Sequence, residues 1–190
     1  MNVKEISYYP AGSAFCPDAF GKELSELIED IRREEKKEDV LYLCIGSDRS
    51  TGDSLGPLIG YMLQKESGLS TAVLGTLTYP VHAVNLEEAL TQIETEFSDS
   101  IVVAIDASVC KREHIGCITL GRGSIKPGLG VSKDLAEVGD IFITGIVGAC
   151  GRFEPLMLQN TRLSMVMEMA DCICRGIGAV ENFCLEASRN

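Results

Sequence analysis

Long apolar runs are missing from this sequence of 190 residues. No run approaches the roughly 18 residues that a membrane-spanning helix requires. The first residues lack the basic and then apolar pattern of a secretory signal, and no internal repeat is present. We therefore expect a cytoplasmic protein that binds no membrane, and the length fits a single α/β domain over residues 1–190.

Positive charge is scarce as well. Lys and Arg number 17 against 28 Asp and Glu, which gives a formal net charge of −11. A chain with this charge repels the phosphates of nucleic acids and of anionic lipids. We therefore expect no nucleic-acid partner.

The closely spaced cysteine pairs of zinc sites are also absent. The chain has eight cysteines, but no two of them form a Cys-x-x-Cys pair. In a reducing compartment the simplest expectation is that they are small buried residues without disulfides.

What the sequence does contain is an alternation of helical and strand patterns with short connections. This alternation predicts a layered α/β domain with a mostly parallel or mixed central sheet. The predicted helices cover 17–36, 54–66, a segment around 86–97 and a long stretch from 155 onward. The predicted strands cover 40–45, 71–77, 101–105, 115–120 and 140–147, and the glycine-rich segment 121–130 is predicted to be a loop.

Acidic residues follow two of these predicted strands. The polar loop 46–57 comes directly after the apolar run 40–45 and contains Asp53, and the run 101–105 is followed by Asp106. The carboxyl ends of parallel strands lie at one edge of an open sheet, where a crevice forms. We therefore predict that Asp53 and Asp106 form a pair of carboxyl groups. The alternative for Asp53 is a cap on the helix that follows it.

The loop 46–57 does not match the nucleotide-binding loops. Five residues separate Gly46 from Gly52, whereas a Walker loop has four and then a lysine, and Asp53 occupies the position of that lysine. A carboxylate there repels phosphate. The Gly-x-Gly-x-x-Gly spacing of dinucleotide-binding proteins is absent too, so no nucleotide cofactor is expected.

Two chemical roles are open for the pair of acids. In the first, one ionised carboxylate takes a proton from water while the other carboxyl group protonates a leaving group, and no cofactor is needed. In the second, Asp53, Asp106 and His82 hold a divalent metal ion. Arg49 is predicted to hold a substrate carboxylate or carbonyl, or to pair with Asp48. The full set of predicted substrate-binding residues is Asp48, Arg49, Ser50, Thr51 and His82.

Four segments of the chain carry a resemblance to a known family. Residues 46–57 and 104–107, together with Tyr79-Pro-Val-His-Ala-Val-Asn-Leu86 and Leu158-Gln-Asn-Thr-Arg-Leu163, closely resemble the YyaC family of sporulation proteins. That family is similar to the spore germination protease and, more distantly, to hydrogenase maturation endopeptidases. Residues 51–57, 104–107 and 125–131 resemble three segments of those proteases in the same order.

The resemblance implies a three-layer α/β/α sandwich of the phosphorylase/hydrolase-like kind and a sporulation-associated peptidase activity. It also implies that Asp53 and Asp106 correspond to the two essential aspartates of the germination protease. The alternative is a catalytically inactive sporulation protein that binds a peptide or a protein partner.

The last predicted helix bears on the oligomeric state. Four methionines spread apolar character around it, and a helix that is apolar on several sides is packed on several sides. We therefore expect a homo-oligomer, with a dimer favoured. These residues are Met157, Met165, Met167 and Met169.

Overall fold

The computed structural model describes residues 6–65, 71–127, 136–151 and 154–187. Within these ranges, six strands form one sheet in the order β1-β5-β6-β4-β2-β3. Strand β2 is parallel to both β3 and β4, and β4 is parallel to β6, whereas β5 is antiparallel to both β6 and β1. The strands are β1 (Ile6–Pro10), β2 (Asp39–Cys44), β3 (Ala72–Leu74), β4 (Ser100–Cys110), β5 (Cys117–Arg122) and β6 (Ile141–Ala149).

Helices cover both faces of this sheet. Residues of α1, α2 and α5 pack with one face in the larger hydrophobic cluster, which includes Phe20, Ile59, Val103 and Ile173. Helix α3 packs on the other face in a smaller cluster. The predicted three-layer α/β/α architecture with a mixed sheet is therefore confirmed. The helices are α1 (Pro17–Glu35), α2 (Leu55–Lys65), α3 (Leu86–Glu96), α4 (Glu154–Gln159) and α5 (Leu163–Ala187).

The buried strands show why this sheet is covered on both sides. In β4, Ile101, Val103 and Ile105 belong to the larger cluster, whereas Val102 and Ala104 belong to the smaller one. Successive side chains of a strand point to opposite faces. A strand that is buried on both faces has a continuous apolar sequence, which is the pattern that predicts it.

The prediction of one long helix from residue 155 onward is wrong, because the helix is interrupted between α4 and α5. The Asn160 amide donates to the carbonyl of Leu156 at 2.8 Å, and the Thr161 hydroxyl donates to that of Met157 at 2.9 Å. Side chains that bond to nearby carbonyls compete with the helical hydrogen bonds. Helix α5 then begins at Leu163.

Several strand boundaries also differ from the prediction. Strand β1 was not predicted, because Ile6 and Tyr8 are exposed on this edge strand and no continuous apolar run marks it. Strand β3 is shorter than 71–77, and β5 extends through Arg122, so the predicted loop 121–130 begins later. Residues 128–130 of that loop lie outside the described part of the chain.

The expectation of buried cysteines is correct for only some of them. The described cysteines are free thiols. Three are buried, and burial raises the pKa of Cys44 far above its ordinary value. Cys16 and Cys150 are exposed, in contrast to the prediction. The side chain of Cys184 lies outside the described part. The buried thiols are Cys44, Cys172 and Cys174, and those of Cys110 and Cys117 are half-buried.

No helix within the described ranges is both long and apolar enough to cross a membrane.

Asp140 connects the start of β6 to β4 and to the segment that follows α1, and its loss is expected to destabilise the fold. Its Oδ2 atom accepts hydrogen bonds from Lys37 Nζ at 2.8 Å and from the backbone N–H of Val102 at 2.9 Å. Asp140→Ala leaves both donors without this acceptor, which we expect to cost about 2 kcal/mol of unfolding free energy. Asp140→Asn retains an oxygen for Val102 and should cost less. Urea denaturation of both variants measures the difference, and equal losses would contradict this role.

Candidate active site

The strand order creates a crevice at the carboxyl ends of β2 and β4. These two strands are neighbours, but the chain leaves β2 toward β3 on one side and leaves β4 toward β5 on the other. In open α/β sheets, ligands bind where adjacent strands lead away in opposite directions. The residues that follow β2 and those in the second half of β4 are therefore positioned at a candidate site.

Asp53 lies in a 3₁₀ turn, Gly52–Ser54, between β2 and α2. The backbone N–H of Ser47 donates to the carbonyl of Asp53 at 3.1 Å, which folds the loop back on itself. Gly46 has a φ of 137°, and a Cβ atom there would lie 2.0 Å from that carbonyl. Only glycine fits this close approach. The loop that holds Asp53 is thus fixed by its own backbone.

The environment of the Asp53 carboxyl favours its protonated form. Burial raises the pKa of Asp53, and the backbone N–H of Ser47 and the charge of His82 oppose this shift without cancelling it. The side chain is half-buried. Its position in the first turn of helical structure likewise favours the ionised form through the helix dipole, but the net direction of the pKa shift is upward. Asp53 is therefore a carboxyl group that retains its proton to a higher pH than usual.

Asp106 is buried within β4, with 7% of its surface exposed. The prediction that the strand ends before Asp106 is wrong, since β4 runs to Cys110 because β6 pairs with it that far. The pairing with β2, however, stops at Ile105. Asp106 is thus the first residue of β4 beyond the ladder with β2, and its Oδ1 accepts a hydrogen bond from the N–H of Ala107 at 2.7 Å.

The structure brings the elements that carry the two acids into contact. The 3₁₀ turn that contains Asp53 packs against β4, the strand of Asp106. Both residues therefore lie at the same edge of the sheet, as predicted from the two strand ends. Asp106 shares a sheet face with Ala104 and the smaller core cluster, because side chains alternate along the strand.

Sequence reasoning missed three hydroxyl side chains beside Asp106. Thr144 pairs directly with Asp106 across β4 and β6. Its hydroxyl lies 3.0 Å from that of Ser108 and 2.7 Å from that of Thr119. Each of these residues interrupts an otherwise apolar strand, which is a signal that the sequence offered. Together they form a connected hydroxyl cluster on the central and neighbouring strands.

The predicted substrate-binding residues of the loop differ in exposure. Asp48 and Arg49 are exposed, and neither side chain forms an ion pair within the described part of the chain. The predicted alternative of an Asp48–Arg49 pair is therefore not what the structure shows. Thr51 is half-buried. The Ser50 hydroxyl is buried and has no hydrogen-bond partner among the residues that the structure describes, which is unusual for a buried polar group.

His82 lies in the loop that follows β3. Its backbone N–H donates to Asn85 Oδ1 at 2.8 Å, and its Nδ1 accepts from the N–H of Val84 at 3.3 Å. Val81 bridges to Ile45 at the end of β2, which brings His82 to the side of the crevice where its charge acts on Asp53.

The residues do not fit the predicted metal alternative. Among the described side chains, no group of three His, Cys, Asp or Glu residues is arranged to hold a metal ion, and this includes Asp53, Asp106 and His82. A metal site built from these three side chains needs all of them around one point. The three-residue metal site that the sequence offered as an alternative is therefore not formed by the described side chains.

One further pattern in the loop is Gly52-x-Ser54-x-Gly56, which matches the spacing of a serine hydrolase nucleophile elbow. The expectation that the chain has no Gly-x-Ser-x-Gly elbow, and therefore no serine nucleophile, is wrong as to the spacing. Ser54 is 5% exposed, and its hydroxyl donates to the carbonyl of Thr51 at 2.7 Å. A nucleophilic serine must be exposed at its turn. Ser54 is instead a structural residue.

The fold and the site define an α/β protein with two carboxyl groups at the switch point of its sheet. A family profile described as "Protein of unknown function (DUF1256)" matches residues 17–176, and the chain belongs to this family. It is 40% identical over 163 residues to the "Uncharacterized protein YyaC" of Bacillus subtilis (strain 168). This match covers 86% of this chain and 80% of that protein.

A solved structure similar to this chain is that of the [NiFe] hydrogenase maturation protease HycI from Thermococcus kodakarensis KOD1. The two are 16% identical, with a TM-score of 0.45, and the match covers 82% of this chain and 99% of that one.

Proposed function

We propose that this protein is a peptidase in which Asp53 and Asp106 are the catalytic acids. The observation that supports this most strongly is the half-buried Asp53 carboxyl, whose pKa is raised and whose turn packs on the strand of the buried Asp106. Perturbed acids in a crevice are typical of catalytic sites. The resemblance of residues 51–57, 104–107 and 125–131 to the germination protease supports a peptide substrate and a role in sporulation.

The two acids have different roles in this proposal. Asp53 is the acid that donates a proton to the leaving amine, because burial raises its pKa and it keeps its proton to a higher pH than an ordinary aspartate. Asp106 is the base that takes a proton from the attacking water, with its carboxylate oriented by the N–H of Ala107. The hydroxyl of Ser50, in the loop that precedes Asp53, is the proposed hydrogen-bond donor to the substrate. Water attacks the carbonyl carbon of the peptide bond and gives its proton to Asp106. The C–N bond then breaks, and the nitrogen of the amine product receives the proton from Asp53.

A screen for cleavage tests this proposal. The purified chain is incubated with a pool of randomised, capped octapeptides, and products are identified by mass spectrometry, with and without EDTA. We expect cleavage that EDTA does not reduce. Loss of cleavage in EDTA would favour the metal-dependent alternative. Peptide binding without cleavage would favour the second candidate function, that of a catalytically inactive sporulation protein that binds a peptide.

The raised pKa of Asp53 predicts a pH-dependent effect on stability. The folded protein holds this proton to a higher pH than the unfolded chain does, so ionised Asp53 destabilises the fold at neutral pH. Asp53→Asn removes the charge and should raise the urea midpoint at neutral pH. The gain should shrink as the pH falls through the folded-state pKa of Asp53 toward its unfolded value of about 3.9. A gain that grows toward acid pH would contradict the raised pKa.

We also propose that the protein forms a homo-oligomer through α4 and the start of α5. Four large apolar side chains in this region are exposed, which is the kind of patch that marks an interface. Analytical ultracentrifugation tests this proposal. The residues are Leu156, Met157, Leu163 and Met167.

A further inference from the structure

A second cleft lies at the β3 edge of the sheet. Its volume is about 580 Å³, within the roughly 300–1,000 Å³ range of ligand sites. Gln64 of α2 lines it from one face of the sheet, and Glu88 and Gln92 of α3 line it from the other. Val73 and Leu74 of β3 lie between them. The edge of the sheet is thus the floor of a groove between two helical layers.

The floor of this groove has unused backbone hydrogen-bonding capacity. Strand β3 pairs with β2 on one side and is the last strand of the described sheet on the other. In a parallel strand, the N–H and C=O groups of alternate residues point to opposite sides. Such an edge is a template for pairing with another extended chain. The chemistry that recognises this floor is therefore that of a peptide backbone.

The turn after β3 closes one end of the groove and is already ordered by its own bonds. The N–H of Thr76 donates to the carbonyl of Tyr79 at 3.0 Å, and the N–H of Tyr79 donates to the Thr76 hydroxyl at 3.2 Å. The Tyr79 side chain lines the groove and is 80% exposed. An exposed aromatic ring at the rim offers apolar area to a bound side chain.

The charge of the residues that line the cleft indicates which kind of peptide it binds, and their position indicates where the peptide leads. Glu88 is the one carboxylate among the described residues that line this cleft, and no Lys or Arg is among them. The chain as a whole carries a net charge of −11. Val81 and His82 line the same cleft, and Val81 bridges to Ile45 at the end of β2, beside the loop that holds Asp53. A chain lying in the groove therefore reaches the catalytic crevice at His82.

We infer that this cleft binds an extended peptide as an added strand on β3, with a basic side chain of the peptide beside Glu88. The inference rests on the proposed function, because it names how the peptide substrate is held. Backbone pairing with β3 supplies affinity for any sequence, and Glu88 supplies the preference for a basic residue.

The backbone pairing is tested by binding, without cleavage, in the Asp106→Asn variant. Octapeptides are selected from a capped, randomised pool, and each amide of a selected peptide is then N-methylated in turn. We expect binding to weaken about tenfold when the methylated amide is one of every second residue along the peptide, because only those amides face β3. We also expect the bound peptide to slow hydrogen exchange at Ala72–Leu74. Selection of no peptide, losses without this alternation, or protection elsewhere would overturn the inference.

The charge preference is tested by a matched pair of variants in the first turn of α3. Glu87 and Glu88 are both exposed there, but only Glu88 lines the cleft. Both Lys substitutions change the helix dipole interaction alike, so Glu87→Lys is the control. Glu88→Lys should weaken binding of Lys- or Arg-containing peptides by about fivefold or more and strengthen that of Asp- or Glu-containing ones. An equal effect of the two variants would overturn the assignment of Glu88.

The two proposals fail in different ways. If the wild-type chain cleaves peptides but the β3 amides stay unprotected, the peptidase proposal stands and the β3 site is wrong. If selected peptides protect β3 and none is cleaved, the β3 site stands and the peptidase proposal is wrong.

Discussion

Asp106→Asn is expected to lower peptide turnover by about 100- to 10,000-fold, the loss typical of removing a general acid or base. The amide cannot accept a proton from water at neutral pH, so the attacking water is no longer activated. The change keeps the size of the side chain, and Oδ1 can still accept the N–H of Ala107. We therefore expect the loss to lie in kcat rather than in the binding of peptide.

Two measurements separate this chemical effect from a structural one. The thermal midpoint of Asp106→Asn should stay within a few degrees of wild type. Asp39→Asn makes the same change at an exposed residue at the start of β2, the opposite end of that strand from the crevice, and should leave turnover unchanged. Wild-type turnover in Asp106→Asn would remove Asp106 from the mechanism.

The parts of this fold that the sequence predicts are those determined by local patterns. The continuous apolar runs of β2 and of the first half of β4 arise because both strands are buried on two faces. The loop after β2 contains the small residues that its turns require, which is why Asp53 could be placed at a strand end. A local pattern of this kind needs no knowledge of which strands pair.

The parts that could not be predicted depend on pairing between distant segments. Strand β4 continues past Asp106 because β6 pairs with it there, and nothing around residue 106 shows this. The contact between Thr119 and Thr144 depends in the same way on the register of β5 against β6. His82 comes close to the crevice only because Val81 bridges to Ile45.

The predicted identity of the site residues shows the same division. Asp53 and Asp106 are predicted because each follows an apolar run, and the 3₁₀ turn of Asp53 contacts the strand of Asp106 in the structure. The metal alternative required three side chains from separate segments to converge at one point, and the described residues form no such group. Convergence of this kind depends on rotamers and loop paths, which sequence spacing does not determine.

The end of β3 is the position where a small change is expected to cost the most stability. Gly75 has a φ of 85°, and a Cβ atom there would lie 1.8 Å from the carbonyl oxygen of Cys44 in β2. The carbonyl of Gly75 in turn lies against Gly60 of α2, where a Cβ atom would be 2.1 Å away. Neither neighbour is a flexible side chain that can move aside. Strand, turn and helix are therefore packed backbone to backbone at this point.

Gly75→Ala is accordingly expected to lower the free energy of unfolding by about 3 kcal/mol or more, the sum of left-handed strain and overpacking. Gly116→Ala is the matched control, because Gly116 has a similar φ of 90° but no atom within 4 Å of its Cβ position. It should cost about 1 kcal/mol from backbone strain alone. Urea denaturation of both variants isolates the contact with Cys44, and equal losses would show that strain accounts for the whole effect.

Because the same contact fixes the end of β3, Gly75→Ala should also weaken peptide binding in the adjoining cleft, whereas Gly116→Ala should not.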